Sequence, residues 1–482
     1  MLEALHNFFD VFGASTVVPA MIFIVSLFLK VNPKRAFFSA LRAGVGLTGF
    51  GWIIGAFSPL VTKFIQQMVE TTGLNLPIVD IGWQAGSLTA FSSEIGLSFF
   101  VFGLLIELAL FFLGVTRVFV PSNLWNNFGY MIWGTMAYAA TGNFILSFAF
   151  MVFVLLYSLV MSEVLADRWA DYYGVKNATI NSIHNIETLV PALLLDPIWN
   201  LLGVNKIKLN PESLKTRLGI FGEPMTLGFI LGLIIGVLGS LENLGNITTW
   251  GSILSFAVAL AAVMTIFPLI TGVFAQAFGP LAEAVESNKK KQSEEESVSG
   301  KKRWFIAVDD GVGFGEPATI IAGLILVPIM VVISLILPGN KALPVVDLIA
   351  IPFMIEAMIA VTKGNILKAI LNGIIWFSLG LYAASALGPI YTEAVQQFGE
   401  ALPTGVTLIM SFNLLAHPLT AVVLFAWISG NPIAIGITIV IYLISLFFLR
   451  TKREAIYDYL KVMADKNSGF EGSSDKIFIG EE

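Results

Sequence analysis

The chain has 482 residues, of which 56% are hydrophobic and only 12% charged, and its net charge is −6. A soluble domain carries about 25% charged residues, so a water-soluble globular protein is excluded and a polytopic helical membrane protein is indicated. There is no cysteine, which excludes disulfides, thiolate metal sites and a cysteine nucleophile in this chain; the charges sit in short loops and point to no nucleic-acid partner.

In chain order, the first ten residues, MLEALHNFFD, lack a basic n-region, so Val11 to Leu29 reads as a retained first span rather than a cleaved signal. Ala43 to Thr62 is charge-free and reaches the ~20 residues that a hydrocarbon core of ~30 Å demands. The stretch LPIVDIGWQAGSLTAFSSE (76–94) is rich in Gly, Pro and polar residues, and 73–93 reads as a re-entrant hairpin rather than a crossing. Irregular backbone at membrane depth survives only inside protein or beside a polar cavity, so this segment marks either a cavity or a surface loop. Val118 to Ser162 is long enough for two helices, broken at Thr141-Gly142-Asn143. Beyond it, NATINSIHNIETLVPALLLDPIW (177–199) carries His184 beside Asn181, Asn185 and Glu187. Alone, that histidine fits a packed or interfacial residue as well as a ligand-facing one.

The tetrapeptide FGEP then occurs twice, at 221–224 and 314–317, each copy entering a long apolar run. Glycine allows a tight turn, and proline at the first helical position wastes no hydrogen bond. Glu223 and Glu316 thereby sit beside free backbone N–H groups, where negative charge is favoured by ~0.3–1 kcal/mol. Each glutamate reads either as a helix cap at the water interface or as an intramembrane functional carboxylate. The second copy has Asp309 and Asp310 just upstream, a focus suited to an uncharged polyol or, more blandly, a solvated loop with one cap. A second irregular segment, 403–420, reads as another re-entrant hairpin and holds His417 ahead of Pro418.

Basic residues cluster at Lys30 to Arg35, Lys206 to Arg217, Lys289 to Arg303 and Arg450 to Arg453, which places those loops in the cytoplasm. The polar run 289–303 reads as the one obvious linker. Val118 to Ser162 resembles Ala401 to Leu449, which breaks at Ser429-Gly430-Asn431, and 33–50 resembles 362–380 more weakly. Internal repeats of this kind mark transporters. The expected fold is therefore an all-α polytopic membrane protein with about eleven spans and two re-entrant hairpins in two structural repeats. Its divisions are a first transmembrane repeat (1–175), middle spans with a cytoplasmic loop and linker (176–303), a second transmembrane repeat (304–460) and a cytoplasmic tail (461–482).

Four stretches carry a family likeness: VGLTGFGW (45–52), FGEPMTLG (221–228), MTIFPLITGVFAQAFGPLAEA (264–284) and AVDDGVGFGEPATIIAG (307–323). Together they resemble the membrane IIC component of the galactitol-type phosphotransferase system, a family grouped with the ascorbate-type porters, from about residue 5 to 460. The resemblance implies inverted repeats, a substrate-carrying core, a dimerising V-shaped domain and hence a homodimer, embedded in lipid as a multi-pass protein of a bacterial plasma membrane. It implies a sugar alcohol as cargo, galactitol foremost, phosphorylated on entry. The phosphoryl group would come through a IIA histidine and a IIB cysteine. With no cysteine and no soluble region of domain size in this chain, IIA and IIB are expected as separate partners.

A substrate-contacting histidine of the ascorbate branch matches His184, and its aspartate matches Asp309, with Asp310 the alternative. The FGEP glutamates depart from the ascorbate branch and fit a neutral polyol; a glucose-type Gly-Ile-Thr-Glu-Pro loop is the analogy for Glu223 or Glu316. The expected substrate site is then Glu223, Glu316, Asp309, Asp310, His184, Asn143 and His417, with no catalytic phosphorylated residue, metal or cofactor. The alternative function is an ion-coupled secondary transporter of a polyol or sugar, in which the glutamates would exchange protons.

Overall fold

Without water to receive them, backbone N–H and C=O groups at membrane depth must pair within the protein, and an apolar run does this most simply as a helix. The computed structural model describes residues 14–467 apart from 73–75, 208, 212–222, 282, 285–303, 345, 400–401 and 403–406. The linker 289–303, Phe221 and Gly222 of the first FGEP, and the end of the tail lie outside the described residues. In chain order come α1 (Ala14–Phe28), α2 (Pro33–Thr72), β1 (Ile78–Asp80), α3 (Trp83–Ser92), α4 (Glu94–Phe112) and β2 (Val118–Phe119). There follow α5 (Phe128–Thr141), α6 (Phe144–Tyr173), β3 (Ala178–Thr179), α7 (Ile183–Ile186), α8 (Leu189–Leu201), α9 (Pro224–Leu238) and α10 (Ile247–Ala275). The remainder is β4 (Phe305–Ala307), α11 (Gly311–Phe314), α12 (Pro317–Ile336), β5 (Ala342–Leu343), α13 (Ile351–Met354), α14 (Glu356–Val361), α15 (Ile366–Phe398), β6 (Leu408–Met410), α16 (Phe412–Leu415), α17 (Pro418–Ile428) and α18 (Pro432–Asn467).

Among the described residues, seven helices are long and apolar enough to cross a membrane, which makes the chain a mostly helical polytopic membrane protein. The turns foreseen at Gly142 and Gly430 are present, with φ of 62° and 64°. Residue 143 then caps α6, its Oδ1 accepting the Leu146 N–H at 3.0 Å, because the first turn of a helix has no backbone partner for its N–H groups.

Two packing groups emerge. The α1–α2 and α9–α10 hairpins meet through α2 and α10 and form a scaffold. Its helices lie unusually close: a Cβ on Gly232 of α9 would stand 2.5 Å from the Ala257 Cα of α10, so only glycine fits. The other helices bury a common apolar core from Phe99 and Trp133 through Trp169 to Phe377 and Tyr391.

Inside that core run two short parallel sheets that composition did not anticipate, ordered β5-β1-β6 and β2-β4-β3. Ile78 pairs with both Ala342 and Leu408, and β4 pairs Phe305 with Val118 and Ile306 with Ala178. Helices broken at depth leave backbone groups unpaired, and strand pairing satisfies them where lipid cannot. The segment at 76–94 is accordingly a strand, a ten-residue helix and a break at Ser93. In each sheet, the first strand of one half lies between the second and third strands of the other.

Candidate substrate site

Strand β4 delivers the chain to Asp309 and Asp310 within the core. Asp309 Oδ1 accepts the Gly311 N–H at 2.8 Å, an Asx turn that starts α11. Beyond α11, Glu316 is the N-cap of α12 and Pro317 its first residue. Its Oε1 accepts the Ala318 N–H at 3.0 Å, and its Oε2 accepts the Thr319 N–H and Oγ1–H, both at 2.8 Å. Glu316 is 4% exposed, so this is a buried cap rather than one at a water interface.

The limb β3–α7 meets this turn from the other side. Ser182 Oγ donates to Asp310 Oδ1, and His184 Nε2 meets Asp310 Oδ2. Asn123 Nδ2 donates to Asn181 Oδ1 and to the Val308 carbonyl, both at 3.0 Å, which fixes limb and turn together. Asn185 Oδ1 accepts the Ala357 N–H at 3.0 Å and so ties the limb to α14.

Helix α14 opens with Glu356, fully buried, whose Oε2 accepts the Trp169 indole N–H at 3.2 Å. Helix α11 crosses directly over this carboxylate: a Cβ on Gly313 would stand 2.2 Å from Glu356 Oε2. Tyr173 completes the link, with its hydroxyl 3.0 Å from Thr319 Oγ1 and donating to the Glu356 carbonyl at 3.3 Å. Four acidic side chains, Asp309, Asp310, Glu316 and Glu356, thus converge with one histidine. Burying a carboxylate is costly without hydrogen bonds; backbone N–H, hydroxyl and indole groups supply at least one to each of these four, while Glu356 Oε1 has no hydrogen-bond partner among the described residues.

A second polar knot forms around Asp347. Its Oδ1 accepts the Trp83 N–H at 2.9 Å, its Oδ2 accepts the Asn413 N–H at 3.1 Å and the Ser411 hydroxyl, and its own N–H donates to Asp80 Oδ2 at 2.7 Å. Beside it opens a pocket lined by Trp83, Gln84, Phe314, Asp347 and Phe353 of the core. Ile53 of α2 and Val263 of α10 also line it, so it lies where core meets scaffold. In a third contact, Glu187 reaches the start of α17, accepting the Thr420 N–H at 2.8 Å and the Tyr157 hydroxyl at 2.9 Å.

Of the residues expected at the site, Asp309, Asp310, His184 and Glu316 come together. Glu223 is the N-cap of α9 on the scaffold, half-buried, and makes no side-chain cap hydrogen bond. Asn143 stands in the exposed turn before α6, and among the described residues no hydrogen bond joins it to His184 or Asp310. His417 is buried at the start of α17, its Nε2 2.6 Å from the Asn413 carbonyl and its ring facing Trp133. Glu356 and Asp347 went unnoticed in the sequence. The signal available was a lone carboxylate inside an apolar run, FMIEAMIAV and LPVVDLIAIP, which by default marks function in a membrane protein.

Apolar spans broken around a buried, hydrogen-bonding, carboxylate-rich centre define a membrane transport protein. The model of a family described as the PTS system sugar-specific permease component (EIIC-GAT) matches residues 7–405, and the chain belongs to that family of integral membrane permeases. It is similar to the PTS system galactitol-specific EIIC component of Escherichia coli (strain K12), at 28% identity over 90% of this chain and 93% of the relative. The same figures hold for the protein of that name from Escherichia coli O157:H7. A putative permease IIC component of Escherichia coli (strain K12) is 26% identical over 80% of this chain and 86% of its own.

Proposed function

We propose that this PTS permease binds a sugar alcohol, galactitol foremost, and carries it across the membrane for phosphorylation by a separate IIB protein that is itself charged by IIA. The single observation that carries the cargo class is the Asp310–His184–Ser182 contact beside the buried carboxylates of Glu316 and Glu356 and the half-buried one of Asp309. Carboxylates accept hydrogen bonds from neighbouring hydroxyls without needing a charged partner, whereas an anionic cargo would meet like charge. Two relatives named galactitol-specific over nine-tenths of the chain point the same way.

In this proposal Asp309, Asp310 and Glu316 accept substrate hydroxyls and His184 orients the cargo. Glu356 supports the turn from below, while Glu223 and Asn143 act at the periphery and His417 holds the start of α17. The chain forms two inverted repeats with about eleven spans and two re-entrant hairpins, and works as a homodimer in a bacterial plasma membrane. The exchanged strands support the repeats: β1, β2 and β3 begin at 78, 118 and 178, and their counterparts β4, β5 and β6 begin at 305, 342 and 408. That spacing pairs the limb β3–α8 with β6–α17, a different register from the likeness between Gly142 and Gly430. The core then moves the cargo past the scaffold, with the pocket at their boundary as its doorway.

Sealed membrane vesicles loaded with purified IIB, IIA, the general phosphotransfer proteins that charge IIA, and phosphoenolpyruvate test this. Phosphorylated galactitol inside, absent when IIB is left out, is the expected product. Free polyol accumulating under an imposed pH gradient without IIB would overturn it in favour of ion-coupled transport.

A further inference from the structure

The last helix has two unlike parts. Up to its kink at Lys452 (φ −124°, ψ 17°), α18 is apolar and largely exposed, as a lipid-facing span should be. Beyond the kink it is amphipathic: Tyr457, Leu460, Met463 and Ala464 are buried on one face, while Glu454, Asp458 and Lys461 are exposed. Helix α18 packs against α6 and α14, the second of which carries Glu356.

Two ion pairs hold the segment. At the kink, Arg453 meets the buried carboxylate of Glu163 on α6, whose other oxygen accepts the Arg117 backbone N–H at 3.1 Å. At the far end, Asp465 Oδ1 lies 2.7 Å from Lys363 Nζ, and Lys363 occupies the turn that ends α14. This turn has little slack. Lys363 and Gly364 both have positive φ (50° and 72°), and a Cβ on Gly364 would stand 2.5 Å from the Tyr172 hydroxyl. Arg168 Nε donates to the Ala360 carbonyl at 2.8 Å, so α14 is held from α6 as well. A helix of six residues is ~9 Å long, and a shift at Lys363 therefore reaches Glu356 with nothing flexible between.

We propose that the post-kink segment 453–467 is a clamp, and that Lys363 and Asp465 are positioning residues that hold α14, and through it Glu356, under the substrate turn. This rests on the proposed polyol transport for its kinetic part only. The test uses Lys363→Asp, Asp465→Lys and the double exchange in the full-length protein. Hydrogen–deuterium exchange of amides 357–361 is read without substrate, and KM and kcat for galactitol entry are read with IIB present. Each single reversal should speed exchange at 357–361 and raise KM about fivefold with kcat changed less, and the double exchange should restore both. Should a reversal fail to insert, Asp465→Asn against the parent gives the same exchange readout. Unchanged exchange at 357–361 in the single variants, or no recovery in the double one, overturns the clamp. If the unaltered protein moves no galactitol while the exchange pattern holds, polyol transport fails and the clamp stands.

Discussion

The two FGEP copies begin alike and end in different environments. Both put a glutamate at an N-cap in extended conformation, with ψ of 139° at Glu223 and 132° at Glu316, and both follow it with proline. Glu316 enters the core, is buried, and caps its own helix with both oxygens. Glu223 enters the scaffold, is half-buried, and makes no such bond. The threonines three residues on diverge too: Thr319 is fully buried and donates to Glu316, whereas Thr226 is half-buried. Local sequence therefore chose the helix start, and the neighbours decided whether the carboxylate became part of a polar centre.

Substitutions can break this contrast, and the largest effect belongs to the core. Asp310→Asn removes the charge facing His184 and Ser182, and uptake should fall about a hundredfold, the loss of a charge-assisted buried contact of ~2–3 kcal/mol. Transport assays at matched membrane abundance check it. Near-normal uptake would remove Asp310 from the site.

Next comes Glu316→Ala, which strips the cap from α12. A loss of ~1–2 kcal/mol should lower the melting temperature measured in detergent, and uptake should drop with it. Gly313→Ala follows, since its Cβ would meet the Glu356 carboxylate at 2.2 Å. Forcing a methyl group there costs ~1–3 kcal/mol, and Glu356→Ala in the same chain should recover part of the lost stability. Absence of any recovery would mean the two groups do not press on each other.

The smallest effects sharpen the contrast instead. Thr319→Val should cost ~1 kcal/mol as a buried hydrogen bond is lost, against near zero for Thr226→Val. Glu223→Gln should leave uptake within about fivefold of the parent, given the ~0.3–1 kcal/mol that a charge at a helix N-terminus contributes. A collapse of uptake in that variant would place the scaffold glutamate alongside Glu316 after all.

Much of the core cluster could be read from its residues in advance. Asp309 and Asp310 stood next to a helix-start motif, and His184 stood among polar residues in an otherwise apolar region. Glu356 could not be placed, because nothing local in FMIEAMIAV says that Trp169, 187 positions earlier, will donate to it. Asp347 likewise depends on Trp83, Ser411 and Asn413, which belong to distant segments. The clamp's closing pair, Lys363 and Asp465, is 102 residues apart.

By itself the amino-acid sequence determined the solvent this chain lives in, the proline-marked starts of α9 and α12, and which turns need glycine. Those properties follow from composition, from the unpaired N–H groups of a first helical turn, and from residue-by-residue backbone preference. Only the tertiary structure decided the exchange of strands between the two halves and the meeting of Asp310 with His184. It alone separated the fates of Glu223 and Glu316. Such contacts join residues remote in the chain, so their energy depends on packing that no local pattern records.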